Sequence, residues 1–513
     1  MSGPGGPRSA LTCLIGVILA VIATQVSAQA PNFDDKPTGF LTVQTGGMPA
    51  DAWNGTSLAT AKQLVSALPP APRSRALRDL QFKVLVSALT PPAPDGSPPP
   101  SLFARKVEKL AAMGEGESLN EMVRGAGGYA DPAIATTVVN AMMMAGEREG
   151  ACSIARNWQL IEPFGRRANA ACDYAAGEKS AAAAAALPAG QIDGPSMMML
   201  DLTRAQPPAG LLRATQPPII RALVALKSLP IATRLEIAER GEALAIVEAT
   251  RLGDLYVEAM RDGAALPPAM AARAQLVAAA RSASNPDEIM NSIVAVYSEA
   301  RGSPMFPTIA RASAAGLLRL PAKPQFASVA QEAMRGFLLL GDKQQTRAWT
   351  RLALSAAYNN AGALNSLDRL MPLVAVAGID DPKRLPPAEV NRWYEAIRQD
   401  DPNRASLRGY LLLELFRATG IDVPPNSTNL PEAPPANARL IMPAAATMQA
   451  LQAAAAGRRR AETSLLASIA AGETPLGELH PAAVAAIVRA LRQVGEDYTG
   501  RLFAVETAIA YGL

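Results

Sequence analysis

Histidine is almost absent from this chain: His480 is the only one in 513 residues. A single imidazole excludes metal sites built on paired histidines. It also leaves a Ser-His-Asp triad unsupported, since no Gly-x-Ser-x-Gly elbow accompanies it. Because His480 precedes Pro481 at a helix start, it is expected to cap that helix or lie in an exposed loop. Other chemical signatures are missing as well. No Ser is followed three residues later by Lys, and neither a Gly-x-x-x-x-Gly-Lys phosphate loop nor an EF-hand loop occurs. Aromatic residues make up only 4% of the sequence, poor material for a β-sandwich, whereas the abundant Ala suits closely packed helices. The net charge is only +4, with basic and acidic residues interspersed, which argues against nucleic acid as a partner. The densest basic run, Arg458-Arg459-Arg460, reads as a solvated helix face.

Cysteine is nearly as rare, and where the three cysteines fall is informative. Cys13 lies near the start of the chain's one long apolar run, Leu11 to Ala23, which follows a short segment bearing Arg8. That run is too short for a bilayer span and leads into Val26-Ser27-Ala28, with small residues at the −1 and −3 positions of a cleavage site. The pattern predicts a secretory signal peptide over residues 1–28, hence a periplasmic or secreted mature chain without stable membrane insertion. Cleavage removes only Arg8, leaving 49 − 1 = 48 basic against 45 acidic residues, a net charge of +3. Cys152 and Cys172 then remain, an even number bound for an oxidising compartment. If Pro163 opens the second helix of a hairpin, each cysteine stands nine residues from the turn, roughly 13 Å along its helix. The spacing predicts a Cys152–Cys172 disulfide.

Apolar periodicity is helical from Trp53 onward, with prolines between the periodic segments. Residues 29–51 are polar and Gly/Pro-punctuated and read as a flexible leader. N-terminal hairpins follow over 52–190, central helices over 191–420, and a Pro-rich linker over 421–438. C-terminal hairpins over 439–513 then read as a separate unit. A turn recurs inside this pattern, at Gly114-Glu115, Gly146-Glu147 and Gly177-Glu178, 32 and 31 residues apart, and again at Gly341-Asp342 and Gly495-Glu496. Five positions after each glycine stand Leu119, Ala151, Ala182, Thr346 and Gly500, mostly small residues. Glycine suits the left-handed position that ends one helix, an acid favours the start of the next, and a small residue lets the two approach. A period just above thirty predicts an all-α, helical-hairpin solenoid. The methionine triplets Met142-Met143-Met144 and Met197-Met198-Met199 point in several directions on a helix, so they read as core rather than as ligand faces.

The Gly-acid turn followed by a small residue resembles a degenerate tetratricopeptide pattern. Ala52-Trp53-Asn54-Gly55-Thr56, Leu77-Arg78-Asp79-Leu80, the Cys152/Cys172 hairpin and Leu479-His480-Pro481 are similar to segments of exported helical-repeat proteins of Gram-negative bacteria. That resemblance implies a fold and a compartment, and no activity. On this basis the chain is expected to be a binding scaffold or adaptor for a protein partner in the cell envelope, with no catalytic, cofactor-binding or metal residues and no cofactor. A structural spacer is one alternative, and a peptidoglycan-acting enzyme or its regulatory subunit is another. Glu117-Ser118 and Ala357-Tyr358-Asn359-Asn360-Ala361-Gly362 resemble two short motifs of lytic transglycosylases. Here Glu117 falls in a polar turn, the intervening Gly-Leu-Met-Gln-type segment is absent, and the fragments lie 358 − 117 = 241 positions apart. N-terminal sequencing of the native protein is expected to begin at Gln29; a membrane-bound chain that retains residues 1–28 would contradict export.

Overall fold

The computed structural model describes residues 33–178, 192–301, 303–358, 360–380, 382–424 and 427–513. The signal segment and Ala182 lie outside the described residues. Everything regular in them is helical, and β-structure is limited to isolated bridges such as Leu41 with Ser87.

The first helices are α1 (Leu58–Ala67), α2 (Arg75–Val86), α3 (Leu102–Ala112), α4 (Gly116–Ala126) and α5 (Pro132–Ala145). Ser57, Ser74, Ser101 and Asp131 each start a helix by accepting a backbone N–H, at α1, α2, α3 and α5 respectively. Helix α5 packs against α3, α4, α6 (Arg148–Asn157), α8 (Gly194–Thr203) and α9 (Pro217–Ala225). Because neighbouring helices enclose it, Met142, Met143 and Met144 are all buried, and so are Met197 to Met199 on α8.

Helix α7 (Phe164–Ala175) pairs with α6, and Cys152 and Cys172 are bridged, with Cα atoms 5.5 Å apart. The path differs from the expected one. Helix α6 ends at Asn157 because Trp158 turns extended, and the connecting loop restores the level of the two cysteines. Disulfides of this kind persist in oxidising compartments.

Five further helices carry the chain onward: α10 (Ile231–Ala243), α11 (Ala249–Arg261), α12 (Pro268–Ser282), α13 (Pro286–Ala300) and α14 (Phe306–Ala312). Between α10 and α11 the chain turns sharply, with Ala245 at a left-handed φ of 56°. After the short α15 (Ala314–Leu317) come α16 (Ala330–Leu340), α17 (Lys343–Ala357), α18 (Ala361–Asp368), α19 (Met371–Ala377), α20 (Pro387–Asp400) and α21 (Ala405–Thr419). Helices α22 (Ala445–Ala456), α23 (Arg460–Ala471), α24 (Pro481–Gln493) and α25 (Asp497–Ala510) complete the chain.

Three segment assignments are corrected. The leader from residue 33 on is anchored, not flexible: Phe33 is buried with its ring 4.7 Å from that of Phe103, and Asp34 accepts the Leu102 N–H at 2.7 Å. Its backbone runs so close to α2's end that a Cβ on Gly39 would collide with the Ser87 carbonyl. The Pro-rich segment is no free tether, since Ile421, Val423 and Leu430 are buried and Asn429 donates its N–H to Asn391. The C-terminal hairpins are no separate unit. Helix α23 packs on α1 and α2, α24 on α21, and α25 on α2, α16, α19 and α21. Arg492 and Arg501 reach from these last helices to the carbonyls of Ala418, Thr419 and Val376, satisfying the C-terminal ends of α21 and α19.

Replacing both cysteines with Ser is expected to cost roughly 3 kcal/mol, the chain-entropy value for a loop of about twenty residues. Urea denaturation of native and double-Ser protein measures it, and equal midpoints would contradict it.

Candidate functional site

Helix α2 begins inside the protein. The Ser74 hydroxyl donates to Glu506 of α25 at 2.5 Å, and the Ala76 N–H lies 3.3 Å from the other oxygen of the same carboxylate. One residue on, Arg75 donates to Glu242 of α10 at 3.0 Å and to the Val247 carbonyl at 2.7 Å. Arg311 of α14 holds the same carboxylate with bonds of 2.7 and 3.2 Å. Burial works against the charge of Glu242, but Arg311 and Arg75 outweigh it and hold its carboxyl below the ordinary Glu range. For Glu506 the balance is reversed: burial dominates and pushes its carboxyl up, despite the Ser74 and Ala76 donors and the nearby guanidiniums.

Along α2, Arg78 pairs with Glu115 at 2.5 Å, and Arg221 of α9 reaches the same carboxylate at 2.8 Å. Glu248, at the start of α11, stands 3.7 Å from both Arg75 and Arg78. Asp79 comes next. Its side chain is open to solvent, yet the surrounding protein raises its carboxyl by desolvation, with Glu248 and Glu115 adding to the effect against Arg78 and Arg75. An exposed group that is nonetheless desolvated sits in a recess. Tyr498 of α25 shares it: the residue is 53% exposed, and its hydroxyl pKa is raised by desolvation and then by Asp79, Asp342 and Glu506. The Tyr498 hydroxyl lies against Gly341, beside a cavity of about 20 Å³ lined by Phe337, Leu338, Thr346 and Leu502. That is room for one water. The recess therefore offers a carboxylate, a phenol and a carboxylate rim from Glu248, a polar surface for recognition with Arg75 and Arg78 behind it.

The five turn glycines all take positive φ: Gly114 77°, Gly146 84°, Gly177 99°, Gly341 69° and Gly495 88°. Each is followed by an acid whose N–H bonds five residues back, as Glu115 does to Leu110 at 3.0 Å and Glu496 to Leu491 at 2.8 Å. Where the helix after the acid is described, only Asp342 caps it through its side chain, accepting the Gln345 N–H. Glu115 and Glu496 instead form ion pairs across helices, Glu496 with Arg460 at 2.6 Å. Arg459 is paired as well, with Glu462 at 2.8 Å, so two of the three clustered arginines are engaged rather than solvated.

His480 is the N-cap of α24, its Nδ1 accepting the Ala482 N–H at 3.2 Å, and desolvation lowers its pKa. Glu117 is exposed on the first turn of α4, and Tyr358 is 80% exposed after α17; the helices that carry them pack in different places, α4 on α3 and α5 and α17 on α16 and α18. Among the described residues no three His, Cys, Asp or Glu side chains gather as a metal set. Sequence reasoning missed Asp79, Glu242, Tyr498 and Glu506. One faint signal existed, three charges within five residues at the start of α2, Arg75, Arg78 and Asp79. No family model, curated protein or solved structure matches this chain.

Glu242 and Glu506 are expected to respond oppositely to loss of charge. Glu242→Gln leaves Arg311 buried without its carboxylate and Arg75 with only the more distant Glu248, at a cost of about 3–5 kcal/mol at neutral pH. Glu506 has a folded pKa above its unfolded one, so the stability it confers is greatest when protonated and falls as pH rises through the folded value. Glu506→Gln removes that fall and is expected to be at least as stable as native protein at pH 7. Denaturation midpoints against pH check both, and equal losses in the two variants would contradict the assignment.

Proposed function

We propose that this protein is an exported α-helical repeat scaffold or adaptor that binds a protein partner in the bacterial cell envelope. The observation that carries the proposal is the recess at α2, α11 and α25, where Asp79, Glu248 and Tyr498 stand solvent-accessible on buried, ion-paired supports. Rigid supports lower the entropy cost of recognition at such a surface. A solenoid reading is supported by side-chain links that join positions a repeat apart. Arg301 bonds Glu332 and Arg369 bonds Asp400 across 31 residues, Gln331 bonds Ala363 across 32, Arg347 bonds Asp380 across 33, and Arg273 bonds Glu239 across 34. Stacked hairpins of that kind build extended binding faces. Export is supported by the N-terminal sequence together with the disulfide. Among the described residues no helix is long and apolar enough to cross a membrane.

Affinity purification after crosslinking in intact envelopes tests the proposal. The double change Asp79→Asn with Tyr498→Ala is expected to reduce partner recovery about tenfold, as loss of a central contact does, with unchanged circular dichroism. Glu117→Gln is expected to recover partner like the native protein. Soluble muropeptides released from peptidoglycan by native protein but not by Glu117→Gln would make this an enzyme and overturn the proposal.

A further inference from the structure

Helix α11 carries Glu248 of the recess at its start. Further along, its face and the end of the neighbouring α12 border an open groove of about 380 Å³, the size of a small-molecule pocket. Asp254, Val257, Glu258 and Arg261 line it from α11, and Arg281 and Ser282 from α12. Asp254 and Glu258 are one helical turn apart, and Arg261 follows Glu258 by three residues. Successive charges therefore stand roughly 5–6 Å apart at their Cβ atoms.

Each carboxylate is held by an arginine that is itself anchored to a backbone carbonyl. Arg281 crosses α11 at Gly253, where a Cβ would come 2.5 Å from its Nη1. That Nη1 donates to the Ala312 carbonyl at the end of α14 at 3.1 Å, and Nη2 donates to Asp254 Oδ1 at 2.5 Å. Arg234 of α10, largely buried, donates to the Val224 carbonyl at 3.0 Å and to Glu258 Oε1 at 2.9 Å. Arg261 is 72% exposed and pairs with Asp262 through Nε, at 3.0 Å. Among the described residues Asp254 Oδ2 and Glu258 Oε2 accept no hydrogen bond, and the Nη groups of Arg261 donate none. One oxygen of each carboxylate is thus fixed from the protein side, while the other, and the Nη edge of Arg261, are left for a ligand.

The lining holds two acids and two arginines. A simple anion or cation is attracted by one pair and repelled by the other, whereas a molecule carrying both charges satisfies both. An ammonium has three donors and can bridge two carboxylates one turn apart. A guanidinium fork matches the paired oxygens of a carboxylate. We infer that the groove binds a zwitterion, an amino acid or the ends of a short peptide, with its ammonium on Asp254 and Glu258 and its carboxylate on Arg261. Val257 supplies apolar contact to the carbons between the two charges. The inference goes beyond the scaffold proposal and does not depend on it, since it concerns a different surface and a small ligand.

Calorimetric titration of the mature protein with alanylalanine at constant ionic strength tests it, with the N-acetylated and the C-amidated dipeptides as controls. The dipeptide is expected to saturate a single site with a Kd of about 1 mM or tighter. Loss of either ligand charge is expected to weaken binding at least about tenfold. Alanine alone, titrated separately, assigns an amino acid if it saturates the site as well as the dipeptide does, and a peptide if it does not. Arg261→Gln, at an exposed side chain, is expected to weaken the dipeptide at least about fivefold and to leave the amidated form unchanged. Asp254→Asn, which keeps an oxygen for Arg281, is expected to weaken the dipeptide similarly and to leave the acetylated form unchanged. No saturation by alanine or the dipeptide, equal binding of the blocked and unblocked dipeptides, or native affinity in both variants would overturn the site.

Discussion

Glu506 accepts the Ser74 hydroxyl and lies within reach of the Ala76 N–H, from a helix more than four hundred residues further along the chain. In doing so it sits at the positive end of α2, where free backbone donors and the helix dipole favour an acceptor. The same helix start places Arg75 on Glu242, which Arg311 neutralises from a third direction. Burial of these carboxylates requires that α2, α10, α14 and α25 be assembled together, because a carboxylate left in the interior without its donors is far costlier than one in water. Closure of the chain on itself is thus the constraint to which the remaining packing conforms.

Its consequences extend to the surfaces available for binding. Helices α23 and α25 occupy the side of α2 that a free-standing N-terminal unit would expose, and Ser468 reaches the Leu77 carbonyl from α23. What remains accessible is Asp79, one residue beyond the buried Arg78, facing Tyr498 and Glu248. Partner donors and acceptors meet that recess already held in place by the ion pairs beneath it, so rigidity at the surface originates in the interior.

Charge is distributed with economy along the chain: most buried guanidiniums meet carboxylates or the orphan carbonyls that end helices, as Arg492 and Arg501 do. Against that background Asp79 stands apart, an exposed acid whose carboxyl is raised by desolvation although Arg78 and Arg75 lie close to it.

Much of the helical content could be read directly from residues, since Ser57, Ser101, Asp131 and the recurring glycines act through the backbone within a few positions of themselves. Cys152 and Cys172 belong to the same class, twenty residues apart on neighbouring helices. Composition and local pattern therefore determined the all-α class, the hairpin turns and the disulfide. Only tertiary structure decided the rest. Proline-rich composition marked 421–438 as a tether, yet three apolar side chains dock it, and polar composition marked the leader as loose although Phe33 and Asp34 anchor it. Neither composition nor period says that α25 returns to α2, or that Glu506 is buried while Asp79 is not. Both are acids on helices, and which one faces water depends on elements hundreds of residues away, whose placement follows from the summed burial of many weak contacts rather than from any local signal.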